Sequence, residues 1–199
     1  MALTKTQIIS LAIMQLGHKP IQTLDNADDL VTSAEAAFDM LLPAVLSTGN
    51  WRFAVQIAQL SQSVETPPTG CNWTSIFNLP AGYLKNVRVI PQNYDYEIYE
   101  NNKIYCNWGN STMLMEYAFQ PAIANLPMHF VNYFIYEIAS YLALSAAQKP
   151  EYYSVLETRR IQAMAMAAAT DASNRPNFSQ VVFPVLAKRN IGGIIGNAN

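Results

Sequence analysis

The sequence predicts an α+β protein: a four-helix bundle-like core with an inserted antiparallel β-rich subdomain and an extended C-terminal arm. Three observations predict it. Apolar residues recur at helical spacing before residue 50 and again after residue 125. From Trp73 to Tyr117 they alternate with polar residues and are cut by short Gly, Pro and Asn clusters. After Asn174 neither period holds. The expected divisions are 1–54 for the first two helices, 55–120 for the β insert, 121–173 for the last two helices and 174–199 for the arm.

The first helix is expected from Thr4 to Leu16. Thr4 and Gln7 have capping-box spacing, in which each side chain satisfies the other's free backbone amide. Ile8, Ile9, Ala12, Ile13 and Leu16 form its stripe. Gly17 is a left-handed stop, with Pro20 beyond it. Asn26 or Asp28 caps the second helix, and Asp28 and Asp29 sit at its positive end. Its stripe is Leu30, Val31, Ala34, Phe38, Leu41, Leu42, Val45 and Leu46. Pro43 lacks an amide hydrogen and is expected to kink or restart this helix. Gly49 ends it, and Trp51 and Phe53 plug the bundle's end.

A strand is expected near Val55, Ile57 and Leu60, then a loop over Glu65–Gly70. Trp73, Ser75 and Phe77 begin the sheet. Leu79–Leu84 is a turn leading to Val87, Val89 and Ile90, and Pro91-Gln92-Asn93 is a break. Tyr94, Tyr96 and Ile98 face Ile104, Cys106 and Trp108 across a hairpin turn at Glu100–Lys103. After a turn at Gly109-Asn110, Met113, Met115 and Tyr117 complete the sheet. Both sheet faces carry apolar residues, so either both are covered or one meets a partner.

Asn125 is the expected cap of a third helix, with Pro127 in its first turn. Phe130, Phe134, Ile135, Ile138, Ala139, Leu142, Ala143 and Ala146 give it about 20 residues, roughly 30 Å. Gln148-Lys149-Pro150 breaks the chain before a fourth helix from about Glu151 to Ala172, through Tyr152, Val155, Leu156, Met164 and Met166. Its alanine-rich second half admits a close neighbour, although helix propensity alone also explains the alanines. The arm contains Phe178, Val181, Val182, Phe183, Val185, Leu186, Ile191, Ile194 and Ile195. Disordered tails are poor in such residues. The arm either folds back on its own sheet or packs on neighbouring chains, and the second reading is preferred.

Charged residues are 13% of the 199-residue chain and the net charge is −2. An ordinary soluble domain carries about 25% charged residues. The deficit points to surface covered by other chains, or to a coat of Asn, Gln, Ser and Thr. The charge argues against a sequence-independent grip on nucleic acid. No stretch approaches the roughly 20 apolar residues of a spanning helix, so no membrane is expected. MALTKTQ lacks a basic region followed by an apolar run, so no signal peptide is expected. Cys71 and Cys106 are expected as free buried thiols, with a cross-strand bridge the alternative.

The chemistry is sparse. His18 falls in a loop and His129 at a helix start, neither in metal-ligand spacing, so both read as surface or capping residues. Asp28-Asp29 reads as capping, and Arg159-Arg160 as a solvated or interface pair. Tyr94, Tyr96, Tyr99, Tyr105 and Trp108 form a possible contact or stacking face. Without basic neighbours they fit sheet packing or protein contact better than nucleic acid. Lys188-Arg189 is a weak basic signal. No catalytic, metal or cofactor residue is assigned, and no enzymatic activity is expected.

The order of motifs is informative. Leu16-Gly17 ends the first helix; Trp51, Phe53 and Ala54 form W-x-F-A; Trp73 follows; Leu79, Pro80, Tyr83 and Leu84 form L-P-x-x-Y-L; and A-x-x-x-D-A-S-N-R-P closes the fourth helix. Over nearly its whole length the chain resembles the tail tubular protein A family, the head-to-tail adaptors of short-tailed phages. Gly82 departs from the pattern, since many relatives carry an acidic residue after the L-P. The resemblance implies a virion neck protein, assembled in the host cytoplasm. It would form a homo-oligomeric ring, a dodecamer, between the portal protein and a tail nozzle resembling tail tubular protein B. DNA passes through the bore without specific binding, and no cofactor is involved. The nine apolar arm residues would meet the portal or a neighbour. The five aromatics would lie on the tail side or between subunits. Trp51, Phe53, Trp73, Leu79 and Pro80 would be signature core residues. The alternative is a non-enzymatic binding module whose aromatic sheet takes a ligand or glycan.

Overall fold

The computed structural model describes residues 3–24, 28–90, 95–100, 102–145 and 150–174. The chain is α+β. In order come α1 (Lys5–Gln15), α2 (Asp29–Thr48), β1 (Val55–Ser61), β2 (Ser75–Asn78), β3 (Tyr83–Ile90), β4 (Tyr96–Tyr99), β5 (Lys103–Cys106), β6 (Thr112–Phe119), α3 (Met128–Ser145) and α4 (Pro150–Ser173).

Local chemistry sets the helix ends. The Thr4 amide donates to Gln7 Oε1 at 2.9 Å, and the Gln7 amide donates to Thr4 Oγ1 at 3.3 Å, which closes the capping box. Gly17 has φ +78°, a conformation glycine adopts without Cβ strain. Asp28 caps α2 by accepting from the Leu30 amide at 2.9 Å, while Asn26 lies outside the described residues. Pro43 does not restart the chain: one helix runs through it from Asp29 to Thr48. The expected cap of α3 is corrected. Asn125 belongs to a 3-10 turn, and the Pro127 carbonyl, one residue before the helix, accepts the Val131 amide at 3.0 Å.

α3 is the central helix. Its buried residues, from Phe130 through Tyr133, Phe134, Ile138 and Ser140 to Ala143, point in nearly every direction around its axis. It packs on α1, α2 and α4. One apolar core joins all four helices, including Ile8, Ile13, Phe38, Leu46, Phe134, Leu156 and Ala163. Lys5 Nζ ties α1 to α2 through Glu35 at 3.0 Å and Asp39 at 2.8 Å. Contrary to the sequence expectation, α2 has the length and mean hydropathy of a membrane span, 20 residues at 1.4. Here its stripe, Val31, Ala34, Phe38, Leu42, Val45 and Leu46, lies in the helical core.

The β part comprises two antiparallel three-stranded sheets, β1-β6-β3 and β2-β5-β4. Leu60, Val89, Met113, Met115 and Tyr117 from the first share a core with Phe77, Ile104 and Cys106 from the second. Register decides which residues enter it. Ala58, Met115 and Val89 are aligned across the first sheet, as are Ile57, Glu116 and Arg88 on its other face. Ile57 is therefore outward and 60% exposed, joined by exposed Leu114 and Val87. The outer face of the second sheet carries Ile76 and Tyr105, both buried. The loop before β2 is held there by Lys103 Nζ to Glu65 at 2.7 Å and by the Thr74 amide to Asn107 Oδ1 at 3.1 Å.

The L-P turn has a physical explanation. The Tyr83 amide donates to the Pro80 carbonyl at 3.2 Å, and Gly82 has φ +76°. A positive φ at the third position of such a turn favours glycine, which accounts for Gly82. Both cysteines are free; Cys106 is buried, but Cys71 is exposed, unlike the expected buried pair.

Candidate functional site

The chain changes from helix to strand at a charged junction. Trp51 closes the end of α2: its indole Nε1 donates to the Val45 carbonyl at 3.1 Å, a helix-end carbonyl that also accepts the Gly49 amide at 3.0 Å. The ring stacks on Tyr133 and meets Phe130 edge-on, with centroids 5.8 and 5.0 Å away. Gly49 is required by close approach, since a Cβ there would lie 2.1 Å from Trp51 Nε1. Phe53 packs on Phe130 at 4.9 Å and against His129 at 6.3 Å. The expected aromatic plug is therefore present.

Arg52, the variable position of W-x-F-A, lies between two buried carboxylates. Its backbone amide donates to Asp171 Oδ2 at 2.6 Å. Its Nη1 reaches Glu116 Oε1 at 3.4 Å, and Arg88 Nε donates to the other oxygen of Glu116. Asp171 is 3% exposed and Glu116 5%. Buried carboxylates need partners, and here the two arginines supply charge to Glu116 while a backbone amide serves Asp171. His129 Nε2 lies 3.8 Å from Asp171 Oδ1, and both atoms are buried without a hydrogen-bond partner. The resulting row, His129, Asp171, Arg52, Glu116 and Arg88, ties α3 and α4 to β6 and β3. A cleft of about 460 Å³ opens beside it, lined in part by Asn50, Arg52, Met164 and Asp171.

Two motifs that are far apart in sequence thus meet: W-x-F-A and the Asp of A-x-x-x-D. Sequence reasoning quoted Asp171 only as a letter of a motif and missed Arg52 and Glu116. It placed His129 on the surface or in a cap; the side chain is instead 20% exposed and faces Asp171. No local signal brings residues 52, 116, 129 and 171 together, because the contacts depend on tertiary packing.

The other sequence-selected residues separate. Tyr96 pairs with Cys106 on the inner face and accepts from Asn86 Nδ2. Tyr105 and Tyr99 lie outward and meet edge-on at 4.9 Å; Tyr105 is buried and Tyr99 is 43% exposed. Trp108 lies beyond β5, its Nε1 donating to the Thr112 carbonyl at 2.8 Å. The strand period of two sends Tyr96 to the inner face and Tyr99 and Tyr105 to the outer one. Tyr94 lies outside the described residues, as do Pro91 to Asn93, Ala146, Gln148-Lys149, the nine apolar arm residues and Lys188-Arg189. Among the signature residues, Trp51 is buried and Leu79 packs on the β core, while Phe53, Trp73 and Pro80 are half-buried.

Arg159 and Arg160 also separate. Arg160 clamps α4 to α3 through Glu137 at 3.0 Å and also pairs with Glu157, one turn away on α4 itself, at 2.5 Å. Its hydrogen bond holds the Glu157 carboxyl below the ordinary glutamate range. Burial, reinforced by Glu137, pushes the Tyr133 hydroxyl above its ordinary range. Arg159 is exposed.

The more prominent surface feature is α4 itself. Its buried edge is Leu156, Ala163, Ala167 and Asp171. The apolar positions selected from sequence only partly fall there. Tyr152, Val155, Ile161, Met164 and Met166 are 43, 51, 56, 43 and 72% exposed. Residues 161–170, IQAMAMAAAT, carry no charged side chain. The charged residues of the helix, Glu151, Glu157, Arg159, Arg160 and Asp171, all lie outside this stretch. Among the described elements, α3 is its main packing partner.

Among the described residues, no cluster of three or more His, Cys, Asp or Glu could hold a metal ion. No family model matches this chain, and no curated protein matches it.

Proposed function

We propose that this chain is a structural head-to-tail adaptor of a short-tailed phage neck, assembling as a ring between portal and tail nozzle around a bore for DNA. The helices form a four-helix bundle that builds the ring, the β part is an insert on its periphery, and the C-terminal segment from Phe178 onward is an arm reaching a neighbour or the portal. The observation that carries this reading is the uncovered apolar surface of α4, directly before that segment. Exposed apolar surface of this kind marks interfaces with other proteins. The low charge of the chain is consistent with such cover. The meeting of W-x-F-A with the Asp of the closing motif adds support: the residues carrying the family resemblance share one structural task.

The role is structural, with no catalytic step. The test is truncation before Phe178. The expected product is a folded protein that fails to dock on portal rings and yields no tailed particles. Normal assembly of tailed, filled particles by the truncated protein would overturn the arm's role.

A further inference from the structure

We infer that in the single chain the C-terminal segment docks on the outer face of its own β1-β6-β3 sheet, with Phe178 to Phe183 lying over Ile57 and Leu114. The inference goes beyond the adaptor reading and does not depend on it, since it concerns where the segment rests in one molecule.

Three observations lead to it. First, this face exposes an apolar strip. Ile57 and Leu114 are exposed side chains on its neighbouring strands, and half-buried Ile90 is aligned with Leu114. A groove of about 560 Å³ continues the strip, lined in part by Gln59, Ile90, Trp108, Thr112 and Leu114. Second, the described chain ends beside this face. The Asn174 amide donates to the Asp171 carbonyl at 3.3 Å, Asp171 Oδ2 accepts the Arg52 amide at 2.6 Å, and Arg52 Nη1 reaches Glu116 at 3.4 Å. Glu116 lies in the outer row with Ile57 and Arg88. Third, the segment has the length and composition to cover the strip. Residues 175–199 follow Asn174, and Phe178 to Leu186 carry no charged side chain. From Arg175 to Phe183 an extended chain reaches about 30 Å, while β6 from Glu116 to Thr112 rises only about 14 Å.

Tethering selects the occupant. Only residues 175–177 separate Asn174 from Phe178. A segment held by so short a tether meets its own sheet at an effective concentration on the order of millimolar, far above that of another chain's segment in dilute solution. Pro176 disfavours a helical conformation at Arg175, so an extended course suits the segment. The contact is apolar in character, because Glu116, the carboxylate of this row, is already held between Arg52 and Arg88. Under the adaptor reading, the arm exchanges this contact for one on a neighbour or the portal.

Thiol labelling of the full-length chain tests this. Cys71→Ser removes the exposed native thiol, and Ile57→Cys or Val155→Cys is added and treated with a maleimide. Ile57→Cys should react several-fold faster once Phe178 and Phe183 are replaced by serine, at every protein concentration, with circular dichroism unchanged. Val155→Cys on α4 should react at the same rate with and without the serines. A short bis-maleimide should join Ile57→Cys to Gln180→Cys within a monomer. An Ile57→Cys rate indifferent to the serines would overturn the docking. Protection that strengthens with protein concentration, or cross-linked dimers in place of linked monomers, would overturn the contact within one chain in favour of a neighbour's segment. A faster Val155→Cys in the serine variant would overturn the choice of the sheet over α4.

Discussion

Replacing Asp171 by alanine should destabilise the fold, because one buried oxygen ties α4 to the turn between α2 and β1. Asp171 Oδ2 accepts the Arg52 amide at 2.6 Å, from a side chain only 3% exposed. A hydrogen bond to a charged group is worth about 1.5–3 kcal/mol, and removing the acceptor leaves the amide unpaired in a part-buried place. We expect Asp171→Ala to cost about 2–3 kcal/mol. For a domain of this size, about 1 kcal/mol shifts Tm by roughly 2–4 °C, so the fall should be about 4–12 °C. Asp171→Asn keeps an oxygen that can accept the same amide and should lose about 1 kcal/mol or less. Urea unfolding of the three proteins separates these effects: the midpoint moves while the slope stays constant. A loss below about 0.5 kcal/mol for Asp171→Ala, the range of an indifferent surface change, would refute the reasoning. So would an asparagine variant as damaged as the alanine variant.

Other predictions follow from separate contacts. Gly49→Ala places a methyl group on the Trp51 indole and should cost about 1–3 kcal/mol by overpacking; wild-type stability in urea would contradict the close approach. Burial raises the Cys106 thiol, so a thiol reagent at mildly alkaline pH should label exposed Cys71 at once and Cys106 only on unfolding. Equal rates for the two would contradict that burial. Glu157 has a depressed folded pKa, so its contribution is present above the unfolded value, about 4.3, and is lost as pH falls through the folded one. Wild type should therefore melt above Glu157→Gln at neutral pH and converge with it in acid; a gap that widens in acid would contradict the Arg160 clamp.

The helices were legible because their signals are local. Thr4 and Gln7 lie three residues apart, and the stripe from Ile8 to Ile13 repeats within two turns. The strands were legible to a similar degree, since Met113, Met115 and Tyr117 all face one core. Which way Ile57 points was not legible, because alternation reveals two faces but not which one is covered. The tyrosines were grouped in sequence and separated in space for the same reason. Asp171, Glu116 and Arg52 were illegible as a group: they lie on α4, β6 and the turn before β1, and each alone resembles an ordinary surface charge. The exposure of α4 was hidden too. Periodicity shows that a helix is apolar, whereas only the fold shows that α3 covers a single edge of it.

The central claim is that the uncovered α4 surface serves ring assembly in a phage neck. Electron microscopy of the full-length protein, alone and mixed with portal rings, tests it most directly. The account predicts rings with a central hole, coaxial with the portal, that disappear when Met166 and Val155 are replaced by aspartate in a variant whose circular dichroism is unchanged. Particles that remain monomeric in the presence of portal rings, or rings unaffected by those two substitutions, would contradict it.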